Sequence, residues 1–259
     1  MTTAQIAQLD VSIAELASEL DRTGFVCLEG VVSKDWLREA RADVESNLTR
    51  YGQNDFCIIN PANESGTPAD RLVSDAGVRA TMVGLASVRC PRKIAEAEEI
   101  ETCLRVLAGP EREATSFAFH YDATVITMLV PLFIPEAGAG QSGELIVFPN
   151  WRPLRRSALM NIADKFIVQN PLYRKRMERK SKRAPEKYSV ALKPGNVYLF
   201  WGYRTYHGNG PCAANTLRAT LLVHYGDPHH GSPLIKAAKA VKLWLAPSTA
   251  HTEAAVVRL

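Results

Sequence analysis

His120 and Asp122 stand two positions apart in the segment Phe119-His120-Tyr121-Asp122. On a β-strand, residues i and i+2 point to the same face, so this spacing places an imidazole beside a carboxylate. A second histidine from a distant strand, His207, would complete two nitrogen ligands and one oxygen ligand. This ligand set is the one expected at a non-haem Fe(II) centre with open coordination positions.

Arg218 lies eleven residues after His207, beyond a turn rich in Gly, Pro and Asn. We interpret the two flanking segments as a hairpin, which predicts that His207 and Arg218 face the same interior. A 2-oxo acid that chelates the metal needs a buried, forked, permanent cation at its far carboxylate, which favours Arg over Lys. Thr220 lies on the same strand face and could donate its hydroxyl to that carboxylate.

The elements that must position these residues are short apolar segments in the second half of the chain. They are separated by Pro, Gly and Asn turns, a pattern typical of a sandwich or barrel. Strands on both sides of the candidate metal ligands favour a jelly roll, also called a double-stranded β-helix. The predicted strands cover residues 116–122, 123–134, 143–149, 190–192, 195–201 and 217–225.

The first part of the chain, to about residue 110, is predicted to be mainly helical. Helices are expected over residues 11–20, about 34–51 after an N-cap at Ser33, and about 78–107 with a break near Pro91. Gly24 is expected to end the first helix, a short strand follows it, and residues 53–75 are interpreted as a long loop.

The whole chain, residues 1–259, is predicted to be one α+β domain that is mainly β. It would comprise the helical portion, a jelly-roll core over about 115–226 with a basic insertion over about 152–187, and a C-terminal helix over about 232–246. With 46% hydrophobic and 22% charged residues, the composition is typical of a globular protein.

Five scattered cysteines without a CxxC pair argue against a disulfide framework or zinc ribbon and fit a reducing compartment. The first residues lack a signal-peptide pattern, and no apolar run is long enough to span a membrane. A cytoplasmic location is therefore expected.

Residues 152–187 contain twelve basic and three acidic side chains, a local charge of +9 in a chain of net charge +4. Such a run is most often a solvated surface. The functional alternative is docking of an anionic group: a phosphate-bearing thioester, an acidic carrier protein or an anionic lipid surface. No basic platform interleaved with aromatic residues is visible, so nucleic acid is not an expected partner.

Three segments resemble one enzyme family when they are taken together with the HxD pair, His207 and Arg218. GFVCLEGVVSKDWL resembles its N-terminal strand and helix, SGELIVFPNWRP a central strand, and KPGNVYLFWGYRTYHGNG the segment that ends at the distal histidine. The family is the Fe(II)/2-oxoglutarate-dependent dioxygenases, and the surroundings look most like the phytanoyl-CoA dioxygenase branch. The resemblance extends over about residues 21–225.

This resemblance implies that His120, Asp122 and His207 hold Fe(II) and that Arg218 and Thr220 bind 2-oxoglutarate. With O2 as the second co-substrate, the expected reaction hydroxylates an unactivated C–H of a small molecule and forms succinate and CO2. An anionic or a carrier- or CoA-linked molecule is among the substrates that the resemblance allows. Related halogenases have Gly or Ala at the position of Asp122, so this residue favours oxygenation.

Two departures from the family pattern concern the substrate. Asn150-Trp151 replaces the usual Gly-Ser-His tail, and the basic stretch after it is longer than a minimal member needs. Both lie where substrate recognition is expected, which makes Trp151 and Arg152 candidate substrate residues. Desaturation, epoxidation or cyclisation with the same cofactors is one alternative. Another is a non-catalytic jelly-roll protein that binds zinc or no metal. His120, Arg218 and Thr220 could each also be ordinary structural residues, and His224 is assigned a structural or surface role.

Overall fold

The computed structural model describes residues 6, 12–90, 99–109, 116–153, 164, 167–168, 170–228 and 255–258. Its strands are β1 Phe25–Leu28, β2 Phe56–Ile59, β3 Glu101–Leu107, β4 Ile126–Phe133, β5 Leu145–Phe148, β6 Ser189–Val190, β7 Val197–Phe200, β8 Tyr206–Asn209, β9 Arg218–Tyr225 and β10 Ala255–Arg258. Its helices are α1 Ile13–Thr23, α2 Lys34–Tyr51, α3 Pro68–Ser74, α4 Ala76–Arg89, α5 Pro171–Arg183 and a short α6 Pro185–Tyr188. A 3-10 turn covers Pro61–Asn63.

The described strands form two antiparallel sheets. The large sheet has the order β1-β7-β4-β9-β3-β2-β10, and the small sheet has the order β6-β5-β8. One face of the large sheet shares a core with the helices that precede β3. Its other face shares a core with the small sheet, where Leu145 and Val147 of β5 meet Leu129, Tyr198 and Phe200. The space between the sheets is where the candidate site lies.

The ends of the first two helices are set by local caps. Ser12 and Glu15 form a capping box at the start of α1, and Gly24 ends that helix with a φ of 75°. The Ser33 hydroxyl accepts from the Trp36 N–H at the start of α2. The predicted bounds of α2 are therefore confirmed, and α1 is longer than predicted and begins two residues later.

Two predictions in the first part of the chain are wrong. The expected loop over residues 53–75 contains β2, the 3-10 turn and α3, because Phe56 and Ile58 are buried in the core under the large sheet. The helix predicted to reach residue 107 ends at Arg89, and β3 follows. In β3, Leu104 and Val106 alternate with more exposed residues, and pairing with β2 and β9 on its two sides selects the extended conformation.

The described part of the basic segment is ordered against the small sheet. Met177 of α5 and Tyr188 of α6 are buried against Phe148 and Tyr206, on the face of that sheet opposite to the large sheet. The helix predicted over residues 232–246 lies outside the described residues, and β10 pairs with β2. Among the described helices, none has the length and apolar character that a transmembrane segment requires. All five cysteines are free.

Candidate metal and co-substrate site

His120 and His207 are brought together by one isolated backbone bridge. The His120 N–H donates to the His207 carbonyl at 2.9 Å, and the His207 N–H donates back at 3.0 Å. His207 belongs to β8, whereas Asp122 follows His120 in a loop and its N–H donates to the Gly202 carbonyl at 3.0 Å. The strand predicted through residues 116–122 is thus reduced to a single bridge. The bridge and the loop still place both ligands beside His207.

The three side chains form a group that could hold a metal ion. One ligand atom from each of His120, Asp122 and His207 lies within 4.8 Å of the other two. Each histidine Nε2 lies 3.5 Å from Asp122 Oδ1. Each Nδ1 lies near a carbonyl oxygen, that of Ala118 at 2.9 Å and that of Thr205 at 3.0 Å. A carbonyl only accepts, so Nδ1 carries the proton and the Nε2 lone pair is free for a metal.

This donor set fits the metal that the sequence resemblance implies. Two neutral imidazoles and one carboxylate on one side of the ion form the facial triad of non-haem Fe(II) sites. The prediction that these three residues converge agrees with the geometry. The same donors also suit other divalent metals of the first transition series, and iron is therefore assigned below with the rest of the site.

A layer of residues behind Asp122 fixes its carboxylate. Thr127 Oγ1 donates to Asp122 Oδ2 at 2.5 Å and lies 3.1 Å from His224 Nδ1. The backbone of Gly202 closes this side, because a Cβ there would lie 2.4 Å from Thr127 Oγ1 and 2.6 Å from Asp122 Oδ2. Oδ2 is thereby held by the protein, and Oδ1 is left facing the histidines.

The electrostatics of Asp122 and His207 suit metal binding at neutral pH. Burial alone would raise the pKa of Asp122, but His207 and His120, both protonated at the acidic pH where Asp122 titrates, hold that pKa well below its usual range. Burial lowers the pKa of His207 to about 4. The carboxylate is therefore ionised and His207 is neutral, so a metal need not displace a proton from either group.

Arg218 is a buried cation at the start of β9. Its side chain is 0% exposed, and it donates to the Gly143 carbonyl at 2.8 Å, Asn209 Oδ1 at 3.2 Å and Thr220 Oγ1 at 3.4 Å. Within the described ranges these hydrogen-bond acceptors are all uncharged. Burial lowers the pKa of Arg218 to about 10, and the charge of Glu144 opposes this only in part. A buried guanidinium with neutral acceptors is a site for an anion.

The predicted hairpin between His207 and Arg218 is wrong. β8 belongs to the small sheet and β9 to the large sheet, so the chain crosses between the sheets in the turn that separates them. Both side chains nevertheless face the space between the sheets, as predicted. Gly143 is needed for this arrangement, because a Cβ there would lie 2.4 Å from Arg218 Cδ.

Arg105 is a residue of this region that the sequence analysis missed. It pairs in register with Thr220, and it alternates along β3 with Leu104 and Val106, which pack under the helices. Its side chain therefore points away from the helices, and its positive charge lowers the pKa of Arg218. Among the described residues its buried Nε has no hydrogen-bond partner. The alternating pattern of β3 would have revealed Arg105 had that segment been interpreted as a strand.

Trp151 and Arg152, the candidate substrate residues, lie behind the ligand loop. Arg152 is 6% exposed, its guanidinium lies 3.9 Å from the Tyr121 ring centroid, and its Nε donates to the Tyr203 carbonyl at 2.8 Å. Trp151 is 40% exposed and donates to the Tyr173 hydroxyl at 2.8 Å. Because Tyr121 stands between the candidate ligands His120 and Asp122, Arg152 supports their loop. The substrate role of both residues stays a prediction.

Comparison with known proteins supports the fold. No protein-family model and no curated protein sequence matches this chain. A prolyl-4-hydroxylase from Pseudomonas putida matches 86% of this chain and 98% of its own with a TM-score of 0.51 and 13% identity. The non-haem α-ketoglutarate-dependent epimerase SnoN from nogalamycin biosynthesis matches 83% of each chain with a TM-score of 0.55 and 16% identity.

EctD from S. alaskensis with bound Fe matches 85% of this chain and 79% of its own, with a TM-score of 0.54 and 18% identity. Identities this low establish a common fold and leave the activity to the residues of the site. The predicted fold class, a mainly antiparallel jelly-roll core with flanking helices, is confirmed.

Proposed function

We propose that this protein is a non-haem Fe(II)- and 2-oxoglutarate-dependent oxygenase that oxidises a C–H bond of a small molecule. One observation carries the proposal: two free histidine Nε2 atoms and the Asp122 carboxylate converge next to a buried Arg218 whose described acceptors are all neutral. A metal alone needs no such arginine, whereas a chelating dicarboxylate needs both groups. SnoN is known in complex with Fe3+ and α-ketoglutarate, and EctD with Fe, which supports the assignment by fold.

The chain's own residues have distinct tasks in this proposal. His120, Asp122 and His207 would hold Fe(II) from one side and leave the other positions open. When bound, iron and 2-oxoglutarate supply O2 activation coupled to oxidation of the 2-oxo acid to succinate and CO2. The neutral acceptors of Arg218 engage one N–H on each guanidinium nitrogen, so each Nη keeps a second N–H for the far carboxylate.

Thr220 and Arg105 complete the wall that would receive the co-substrate. Thr220 Oγ1 accepts from Arg218 at 3.4 Å, so its own hydroxyl proton is free to donate to a carboxylate. Arg105, opposite Thr220 in register, adds a second positive charge. A dianion with two carboxylates would be favoured here over a monoanion because two guanidinium groups and the metal face it.

Within this class we propose that the reaction is a hydroxylation and that the chain belongs to the phytanoyl-CoA dioxygenase-like branch. The three sequence segments that resemble this branch support the proposal. The neighbours SnoN, an epimerase, and SnoK, a carbocyclase, illustrate that other outcomes occur on this fold. Asp122 as the third ligand argues against halide binding at that position. A small-molecule substrate is proposed, with an acidic carrier or a lipid surface as candidate partners of the basic segment. The zinc-binding alternative leaves Arg218 unexplained.

The test has a binding step and a turnover step. We expect Fe(II) and 2-oxoglutarate, added together without O2, to give the visible charge-transfer absorption of a chelated 2-oxo acid. Admission of O2 should then yield succinate without added substrate. His120→Ala and Asp122→Ala should abolish both signals, and Asp35→Ala, which alters an exposed carboxylate of α2, should keep them. Wild-type protein that binds Zn(II) but gives neither signal would overturn the proposal.

A further inference from the structure

The outward face of α5 carries a set of cations that the proposed reaction does not use. Its members form two adjacent rows, and within each row the spacing of three or four residues places the side chains on one side of the helix. We call them the basic stripe: Lys175, Arg176, Arg179, Lys180 and Arg183, continued by Lys187 of α6. Within α5, from Lys175 to Arg183, the stripe covers about two helical turns, roughly 12 Å.

The stripe is held in a fixed position by the opposite side of the same helix. Met177 is 2% exposed and packs with Phe148 and Tyr206 of the small sheet. Tyr173 packs edge-on against Tyr206 at 5.7 Å and accepts a hydrogen bond from Trp151 Nε1. The cations therefore belong to a preformed surface, and a partner would not have to order the helix.

The charges of the stripe are not neutralised within the described residues. The ion pair within α5 joins Lys182 to Glu178, and neither residue belongs to the stripe. Lys180 Nζ lies 4.2 Å from the Trp151 ring centroid and 5.6 Å from that of Tyr188, both uncharged contacts. Together with Leu172, Ala184 and Tyr188, the stripe lines a groove of about 730 Å³. Uncompensated positive charge in a concave surface indicates an anionic partner of matching shape.

Three kinds of anionic partner differ in what they need beside charge. A bilayer needs an apolar face, but α5 turns its apolar face to the small sheet and offers only Leu172, 79% exposed, at one end. A single-stranded nucleic acid needs open aromatic rings for stacking, and Lys180 covers the ring of the neighbouring Trp151. An acidic helix needs a groove of about its own length with one apolar contact, which is what the stripe and Leu172 provide.

We propose that the basic stripe docks an acidic amphipathic helix of a partner protein. Glutamates or aspartates at successive turns of that helix would pair with the stripe, and one apolar side chain would cover Leu172. The docked partner would lie on the outer side of α5, whose inner side packs on Tyr206. The Tyr206 ring is 5.1 Å from that of Tyr121 in the metal-ligand loop, so α5 and a layer of aromatic side chains separate the docking surface from that loop.

The test uses the full chain and a stapled helical peptide with Glu at i, i+3, i+4 and i+7 and one Leu. We expect binding at low salt that weakens at least about tenfold when ionic strength rises to about 0.3 M. Reversal of three stripe charges, Lys175→Glu, Arg176→Glu and Arg179→Glu, should weaken binding by at least about tenfold. The matched control reverses three exposed cations on other helices: Lys34→Glu, Arg50→Glu and Arg79→Glu should change affinity by less than about twofold.

Each of three other outcomes would overturn the proposal. Equal binding of a proline-containing peptide of the same composition would show charge attraction without helix recognition. Tighter binding to phosphatidylserine vesicles or to a single-stranded oligonucleotide would assign the stripe to a lipid or a nucleic acid. If both triple variants lose affinity for the peptide equally, the binding depends on the net charge of the protein and not on the stripe. Circular dichroism checks that the variants fold, and Lys175→Gln with Arg179→Gln should give a smaller loss. The binding assay needs no turnover, so its result does not depend on the proposed activity.

Discussion

Each histidine of the candidate metal site is oriented through the ring nitrogen that faces away from the metal. The carbonyls of Ala118 and Thr205 hold the two Nδ1–H groups, and both carbonyls belong to residues two positions before the histidine. The orientation of each ligand is therefore determined by its own local backbone. Such outer hydrogen bonds fix the tautomer and typically change metal affinity by one to two orders of magnitude when removed.

Arg218 is expected to discriminate its ligand by shape as well as charge. Arg218→Lys keeps the charge but loses the fork and the contacts with Gly143 and Asn209. We expect affinity for 2-oxoglutarate, measured by anaerobic titration, to fall about 10- to 100-fold, equivalent to roughly 1.5–3 kcal/mol. Arg50→Lys on exposed α2 is the matched control. If Arg218→Lys binds 2-oxoglutarate normally, this residue does not hold the co-substrate.

Gly202 is expected to be essential for the metal geometry. A methyl group at this position would overlap Asp122 Oδ2 and Thr127 Oγ1, so Gly202→Ala must displace the carboxylate. We expect Mn(II) affinity, measured by calorimetry, to fall at least about tenfold and unfolding free energy to fall by about 1–3 kcal/mol. Gly210→Ala is the control, because the nearest atoms to its Cβ would lie 3.5 Å away. Unchanged Mn(II) binding in Gly202→Ala would show that Asp122 is not a ligand.

The sequence predicts those site residues whose side-chain type is itself unusual for their position. His120, Asp122, His207 and Arg218 are chemically capable groups at informative spacings. Thr127 and Gly202 carry no such signal, because a threonine in a strand and a glycine in a turn are ordinary. Their roles arise from sheet register, which pairs Thr127 with both Phe200 and His224, and register across distant strands cannot be deduced from local pattern.

At the scale of elements, α5 helps to cover the outer apolar face of the small sheet. With three strands and a single added bridge at His120, this sheet would expose Phe148 and Tyr206 on its outer face. α5 and α6 cover that face. From its composition, a basic segment of this kind is most often a solvated surface. In the structure one side of α5 packs on the small sheet, and the other side is open to solvent.

Met177 is expected to be the main anchor of α5. Met177→Ala should lower the unfolding free energy by about 2–4 kcal/mol, because it leaves a cavity against Phe148 and Tyr206. The exposed Leu172→Ala, on the same helix, should change it by less than about 0.5 kcal/mol. Urea titration followed by circular dichroism measures both values. If Met177→Ala leaves the unfolding free energy unchanged, the packing of α5 adds nothing to stability.

The boundaries of an element can be predicted where local capping residues set them. They cannot be predicted from the local sequence where pairing with distant strands sets them. Ser33 defines the start of α2 from within four residues of sequence, which is why that prediction is confirmed. β3 depends on hydrogen bonds to β2 and β9, and its residues Glu101, Leu104 and Arg105 are good helix formers. Here tertiary pairing overrides the local preference, and only the alternation of buried residues indicates the strand.

At the scale of the whole molecule, the candidate site joins the two sheets. His120 and His207 reach it from the small-sheet side, and Arg218 and Thr220 reach it from the large sheet, whose Thr127 also holds the Asp122 carboxylate. A ligand that contacts both sides binds only the folded arrangement. The free energy of its binding therefore adds to the stability of the entire domain.

Mn(II) and 2-oxoglutarate together are expected to stabilise the protein without turnover. At concentrations about 100-fold above their dissociation constants, each adds roughly 2.7 kcal/mol, and the midpoint of thermal unfolding should rise by about 5 °C or more. Arg218→Lys should keep the rise given by Mn(II) alone and lose about half or more of the part that 2-oxoglutarate adds. A rise of equal size in His120→Ala would show that the ligands bind elsewhere.

The order of strands in the large sheet has a consequence for synthesis. Phe25 of β1 pairs with Phe200 of β7, and Glu101 of β3 pairs with His224 of β9. As the chain leaves the ribosome, β1 has no strand to pair with until β7 is translated, and one edge of β3 stays open until β9 follows. Exposed edges of this kind attract other nascent chains, and such long-range pairing folds slowly. We expect yield in a heterologous host to depend on chaperone supply and on slow translation at low temperature.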